Sequence, residues 1–454
     1  MAKAPDSVFS PSEPTPAVSL GALASSPSVP SHKGWFSSWR PTLPSYLGPF
    51  PVGVHDFETP ADPATGAKGV LVRLYYPTTV ADAKTRSHAK WLPKGTFYAM
   101  GYGSFSKVPV AISMGVFYPA LAHIKTPGFL NAALRPAGEN SDGLRALPEK
   151  LPTVVFAHGL GGMRTTYSAY CGNLASEGMV VIATEFRDGS AAIAAKDNYA
   201  SSIPYLVPSE KNLPPGQSAD EYLLNLRRGQ VELKSGEVKE VLALLRDLDA
   251  GKEVHNLMAG KDKRDPAFAA AIKGRIDFDN MVMAGHSFGA ATALTALQEP
   301  ENPFRCGIAL DPWMHAVSDL PVSKPFLSIQ SHTFQWKKNL EPLEALFSHS
   351  SVAATSRFGV LLGTAHQDVS DFPALFPSLM RKIKLGGEQD PVRSLEIYHA
   401  WSMAFLKEEI GSSTALPFGN YPGYEKEPSV PRPKSILEGQ AAFEALHSSI
   451  RHEW

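Results

Sequence analysis

The hydrophobic pattern of the chain changes at Pro152. From there short β-branched runs recur, each closing on small or polar residues: TVVFAHG, MVVIATEF, NMVMAGHS, CGIALDPW, PFLSIQSH and RFGVLLGTAHQ. Their apolar residues are consecutive rather than alternate, as in strands covered on both faces, and helical segments lie between most of them. The expectation is an α/β fold, a mostly parallel central sheet with helices on both faces. The longest helix is predicted over 223–248, where Leu224, Val231, Val238, Val241, Leu242, Leu245 and Leu248 form one core-facing stripe.

Upstream, GPFPVGVHDFET and GVLVRLYYP read as two antiparallel strands at a sheet edge, the second alternating Val, Leu and Tyr with smaller or charged residues before a proline. Residues 80–150 are poor in strand signal and rich in Pro and Gly, which predicts helices and loops inserted before the third strand of the main sheet, as a cap or an interfacial insertion. Residues 1–40 read as a disordered Pro/Ser-rich leader, 41–412 as one catalytic domain, and 413–454 as a peripheral tail with a last helical stretch at 435–450. No internal repeat is evident.

Composition narrows the classes. A hydrophobic content of 43%, a charged content of 19% and a formal charge of −1 describe an ordinary globular chain with no electrostatic case for nucleic acid. Cys171 and Cys306 are too few for a disulfide framework, and no Cys/His spacing resembles a zinc site, so neither a metal nor a cofactor is expected. The start lacks a basic stretch followed by an unbroken apolar block, and there is no Asn-X-Ser/Thr acceptor, which points to a cytoplasmic protein. The apolar run at 108–122 is interrupted by Pro109, Gly115 and Pro119 and is short for a bilayer-crossing helix.

The chemistry starts from Gly285-His286-Ser287-Phe288-Gly289, a serine between two glycines at the join of a strand and an Ala-rich helix, the sequence form of a nucleophile elbow. In a parallel sheet ligands sit beyond the carboxyl ends of strands, and other strand ends supply partners. Asp311 ends CGIALD, His366 follows GVLLGTA, and His158-Gly159-Leu160-Gly161-Gly162 follows TVVFA. The order Ser, Asp, His is that of the α/β-hydrolase fold. A serine hydroxyl needs a neutral imidazole to take its proton, and the imidazole needs a carboxylate to fix its tautomer, so Ser287, His366 and Asp311 are the candidate nucleophile, base and acid. The strand end FLSIQSHTFQW offers no carboxylate before Glu341, which strengthens Asp311. Asp368 and Asp371 remain as alternative acids on the loop of the base. Backbone N–H groups of Leu160 and Phe288 are the candidate oxyanion donors. Trp313 and Gln367, beside the acid and the base, are candidate substrate contacts. His158 and His286 read as structural, His315 and His332 have no positional argument, and Glu185 and Asp188 either pair with Arg187 or Arg164 to shape the site or, as readily, make ordinary surface ion pairs.

LPSYLGPFPVGVHD, VRLYYP, PTVVFAHGLGGMRTTYSAYCGNLASEGMVVIATEFRDGSA, GHSFGAAT, FRCGIALDPWM and GTAHQDVSDF together resemble the platelet-activating factor acetylhydrolases of the plasma and type II group, including fungal relatives, over 43–406. The resemblance implies an α/β-hydrolase that is calcium-independent and removes short or oxidised acyl groups from the sn-2 position of phospholipids. It implies the same roles for Ser287, Asp311, His366, Leu160 and Phe288. It also implies peripheral contact with lipid surfaces, which places the segment 108–123 either on a membrane or in a lid over the site. Two other readings stay open: a general carboxylesterase or lipase of the same fold, and a catalytically silent lipid-binding protein.

Overall fold

The computed structural model describes residues 41–209, 212–259, 265–317, 320–348 and 355–421. The expected leader at 1–40 and the expected helical stretch at 435–450 lie outside the described residues.

The strands are β1 (Val52–Glu58), β2 (Leu71–Pro77), β3 (His88–Lys90), β4 (Lys125–Leu130), β5 (Leu151–Ala157), β6 (Val180–Thr184), β7 (Ile193–Lys196), β8 (Ser201–Pro204), β9 (Ile276–His286), β10 (Phe304–Leu310), β11 (Phe326–Ser331) and β12 (Arg357–Leu361). Ten of them form one sheet in the order β12-β11-β10-β9-β5-β6-β2-β1-β4-β3, and β7 and β8 pair separately. From β12 to β6 every neighbouring pair is parallel. Strand β2 joins β6 antiparallel, and β1 joins β2 the same way, at the flank where the alternating pattern put an antiparallel pair. Strands β5, β6 and β10 are buried almost throughout, as their consecutive apolar residues require.

Chain order and sheet order together locate a crevice. The connection from β5 to β6 runs through the helix Ser168–Ser176 toward one edge of the sheet, whereas the connection from β9 to β10 runs through the helix Phe288–Gln298 toward the other. Right-handed crossovers in opposite directions put these helices on opposite faces. Contacts agree: Ser168–Ser176 packs with the helix Pro391–Ile410, and Phe288–Gln298 packs with the helix Ala219–Asp249. The adjacent strands β5 and β9 therefore send their following segments to opposite sides, and a cleft opens beyond their carboxyl ends.

The long helix predicted over 223–248 covers Ala219–Asp249 and begins at a reciprocal cap, in which Ser218 accepts from Glu221 N–H while the Glu221 side chain takes the Ser218 N–H. Its stripe from Val231 to Leu248 is buried, but the same face also buries Arg227, Gln230, Lys234 and Glu237. Apolar periodicity gave no sign of those four.

The stretch 80–150 differs from expectation. Besides the helix Gly95–Phe105 and the short turns between Val110 and Leu121, it supplies β3 and β4, which extend the main sheet past β1. Strand β3 is three residues long, and β4 carries Pro127 and Gly128 in its middle, so neither has a strand-like pattern to read. Buried carboxylates tie the insertion to the rest, and Asp371 is one of them. Asp371 accepts from Trp91 Nε1 at 2.8 Å and from the N–H groups of Ser168 and Ala169 at 2.8 and 2.9 Å, joining the insertion, the start of the helix Ser168–Ser176 and the loop after β12. Replacing Asp371 with Ala strands three buried donors and removes a helix cap, so we expect a loss of roughly 2–4 kcal/mol. Chemical denaturation of D371A against the parent protein measures this, and a loss below about 1 kcal/mol would contradict the assigned linkage.

Candidate active site

The turn after β9 is tightly constrained. Ser287 adopts φ +56° and ψ −119°, a conformation L-residues avoid, as the residue preceding the helix Phe288–Gln298. The flanking glycines permit it: a Cβ on Gly285 would lie 2.3 Å from the Gly289 carbonyl oxygen, and one on Gly289 would lie 2.1 Å from the Ala157 carbonyl oxygen. The Ser287 N–H donates to Leu310 O at 2.8 Å, and its carbonyl accepts from Trp313 N–H at 3.1 Å. The turn is thus pinned between β5 and the end of β10.

The structure brings Ser287, His366 and Asp311 into one hydrogen-bonded chain. His366 Nδ1 donates to Asp311 Oδ2 at 3.0 Å, and His366 Nε2 lies 2.9 Å from Ser287 Oγ. Both ring nitrogens are engaged, which suits a proton relay, and a ligand-type atom from each of His286, Asp311 and His366 lies within 4.8 Å of the others. The imidazole stacks on Phe334 with ring centres 3.7 Å apart and lies 4.5 Å from the His286 ring. Asp311 is itself held by Ser331, whose N–H donates to Oδ1 at 2.5 Å and whose hydroxyl donates to Oδ2 at 2.6 Å. Ser331 ends β11, the strand end that offers no carboxylate, so that position supplies a support for the acid instead of the acid itself. Asp368 and Asp371, the alternative acids, are committed elsewhere: Asp368 accepts from Ala365 and Gly387 N–H groups, and Asp371 makes the linkage already described.

The loop after β5 lies against this turn. A Cβ on Gly159 would be 3.0 Å from the Ser287 Cβ, and Gly161 has φ +70° with the Phe105 ring of the insertion covering it. Gly161 N–H donates to Ser190 O and Gly162 N–H to Gly159 O. Among the described residues neither the Leu160 N–H nor the Phe288 N–H has an intramolecular acceptor, which leaves both able to meet a developing oxyanion. His158 is buried and bridges its own loop, with Nδ1 2.8 Å from Gly159 O and Nε2 accepting the Phe186 N–H. His286 lies 2.8 Å from the Tyr167 hydroxyl, which also accepts the Gly159 N–H. Trp313 is buried against Phe288 with ring centres 5.7 Å apart, and Gln367 is half-buried beside the base. His332 accepts from Gly363 N–H at 3.4 Å on the loop that carries His366.

Glu185 is not a surface residue. It pairs with Arg164 at 2.5 Å with both side chains fully buried, and it also accepts from Tyr98 and from Ala195 N–H. Arg164 reaches on to Asp56, which Arg73 holds as well, so burial, which alone would raise the Asp56 carboxyl, is outweighed and its titration lies well below the usual carboxylate range. Arg187 pairs instead with Glu58 at 2.5 Å, and Asp188 accepts from Ser190. The sequence offers Arg164 as a partner of Glu185, but spacing shows neither the burial of the pair nor the rest of the network, whose members come from β1, β2, the insertion, the loop after β5 and the end of β6.

A sheet in this order, with an elbow serine at the switch point and a Ser–His–Asp chain drawn from three strand ends, defines an α/β-hydrolase. The family model described as platelet-activating factor acetylhydrolase, isoform II, matches residues 36–417, and the chain belongs to that family. It is 31% identical over 382 residues to a platelet-activating factor acetylhydrolase of Gallus gallus, covering 81% of this chain and 83% of that protein. It is 32% identical over 358 residues to the one of Canis lupus familiaris, covering 76% and 72%. A ferulic acid esterase from Streptomyces cinnamoneus shares the fold, with a TM-score of 0.53 and 18% identity over 84% of this chain and 96% of its own.

Burial works against charge on both members of the relay. It pushes His366 below its ordinary value, toward the neutral imidazole that a base requires, and pushes Asp311 up, a rise that His286 and the two Ser331 donations only partly offset. With His366 as the proposed base, the neutral ring is the form required and its titration is depressed, so activity should persist as pH falls through the ordinary histidine value of about 6.5 and be lost only below it. A kcat/KM–pH profile on a soluble ester checks the sign, and an acid limb centred above about 6.5 would contradict it.

Proposed function

We propose that the protein is a calcium-independent serine hydrolase that cleaves short or oxidised sn-2 acyl esters of phospholipids. The observation that carries this reading is the hydrogen-bonded chain from Asp311 through His366 to Ser287 in a chain of the platelet-activating factor acetylhydrolase family. In the first step Ser287 Oγ attacks the sn-2 carbonyl carbon while His366 Nε2 takes the hydroxyl proton, and Leu160 and Phe288 N–H groups receive the carbonyl oxygen as it gains charge. Collapse of the tetrahedral adduct breaks the ester C–O bond, and His366 returns the proton to the departing lysophospholipid oxygen. Water, deprotonated by the same imidazole, then releases the acyl group from Ser287. Asp311 keeps the ring in the Nδ1–H form throughout and stabilises the transient imidazolium. Trp313 and Gln367 are the side chains we place against the substrate.

A series of phosphatidylcholines differing only at sn-2, from acetyl to palmitoyl, tests the reading with chelator present. We expect kcat/KM to fall steeply beyond a few carbons and Ser287→Ala to lower kcat by roughly 10⁴-fold or more. A flat profile, or turnover of small esters without phospholipids, would favour the general carboxylesterase; full activity in the alanine variant would overturn the mechanism.

We further propose that the protein meets lipid surfaces through the insertion. Val110, Ile112, Val116 and Tyr118 are all exposed on one short segment, at 64%, 47%, 57% and 36%, an apolar patch with no cover among the described residues. No helix among the described residues is long and apolar enough to cross a membrane, so the contact would be peripheral. Paired substitutions Ile112→Asp and Val116→Asp should weaken sedimentation with phosphatidylcholine liposomes about tenfold or more while leaving turnover of a soluble ester intact. Unchanged liposome binding in the double variant would make the segment a lid.

A further inference from the structure

Lys234 is a fully buried ammonium on the face of the helix Ala219–Asp249 that packs toward the site. Its Nζ donates to the carbonyl oxygen of His158 at 3.0 Å and lies over two rings, Phe186 at 4.5 Å and Phe288 at 4.8 Å. Burying a cation is costly unless its position returns something, and the nearest obvious compensation is only partly used. Asp188 Oδ1 is taken by Ser190, Asp188 Oδ2 has no hydrogen-bond partner among the described residues, and Glu237 receives the Arg187 N–H. The lysine's hydrogen bond goes to main chain instead, at the residue that opens the Gly-rich loop.

Two of the three segments that Lys234 touches carry a candidate oxyanion donor. His158 precedes Leu160 by two residues on one loop, and the Phe288 ring belongs to the residue whose own N–H is the other donor. We propose that Lys234 is a positioning residue for the oxyanion hole, anchoring the His158 carbonyl and seating the Phe288 ring so that the Leu160 and Phe288 N–H groups converge beside Ser287. The inference rests on the serine hydrolase reading above. A positive charge held behind both donors, in surroundings of low dielectric, also favours the negative charge that forms on the substrate oxygen. Burial pushes Lys234 down to about 8, which leaves it charged at neutral pH, while burial pushes Glu237 up to about 8.

The test compares Lys234→Met, Lys234→Gln and Lys234→Arg in the full chain with the parent protein and with Ser287→Ala, using p-nitrophenyl acetate and a trifluoromethyl ketone inhibitor that forms a tetrahedral oxyanion adduct on serine. We expect K234M to lower kcat about 10- to 100-fold with KM changed less than about twofold, and to weaken the ketone in step with kcat/KM. K234R, which keeps the charge and a donor, should recover most of the loss. A folded K234M whose kcat stays within about threefold of the parent overturns the proposal, as does a loss of thermal stability with ketone affinity unchanged, because either shows a lysine that only supports the fold. Should K234M fail to fold, K234Q is judged by the same criteria. Activity surviving in Ser287→Ala would instead bring down the hydrolase reading, a separate failure from that of Lys234.

Discussion

The site depends on one forbidden torsion. Ser287 can hold φ +56° only because the chain on each side has no Cβ: Gly289 lies against the Ala157 and His158 carbonyls, and Gly285 lies against Gly289 itself. A strain of the order of 1–3 kcal/mol is retained there because the surrounding hydrogen bonds over-determine the turn. The turn packs on the end of β5, so the same contact that forces the serine upward also sets its distance from the Gly-rich loop. The serine turn and the Gly-rich loop are therefore two sides of a single packing event, between adjacent strands whose continuations leave in opposite directions.

Around that contact the remaining groups are fixed by burial more than by reach. The imidazole of His366 has no freedom to swing, being stacked on Phe334, flanked by His286 and bonded through both nitrogens. Ser331 and Asp311 come from neighbouring strands and meet at their ends, so the carboxylate is oriented by the sheet itself. Such a site has little reorganisation left to do when charge develops in it, which is the physical content of preorganisation.

Much of this was legible in the chain. Consecutive apolar runs ending in Ser287, Asp311 and the residues before His366 and Gly159 named the strands and, through the strand-end rule, the residues that converge. What could not be read falls into two kinds. Strands β3 and β4 are invisible because a three-residue strand and one centred on Pro-Gly have no periodicity, and they exist only because β1 offers an open edge. The buried ions Arg164, Glu185, Lys234 and Glu237 are invisible because polarity in a sequence reads as surface, and only the meeting of distant segments supplies partners that let charge go inside. Glu185 shows the limit: its pairing with Arg164 could be named from the sequence, but an ordinary surface pair read as readily, and only the fold encloses the two.

The carboxylate of Asp371 gives the insertion and the loop of the base a shared fate. Because one side chain, five residues beyond His366, bonds both Trp91 and the first turn of the helix Ser168–Ser176, loosening of the insertion removes a restraint on the loop that carries the imidazole at the same moment. Sharing that carboxylate, the two regions would open together, below the energy of global unfolding. On warming, hydrolytic competence would then fade before the sheet melts, and the cover of the molecule would act as the fuse for its chemistry.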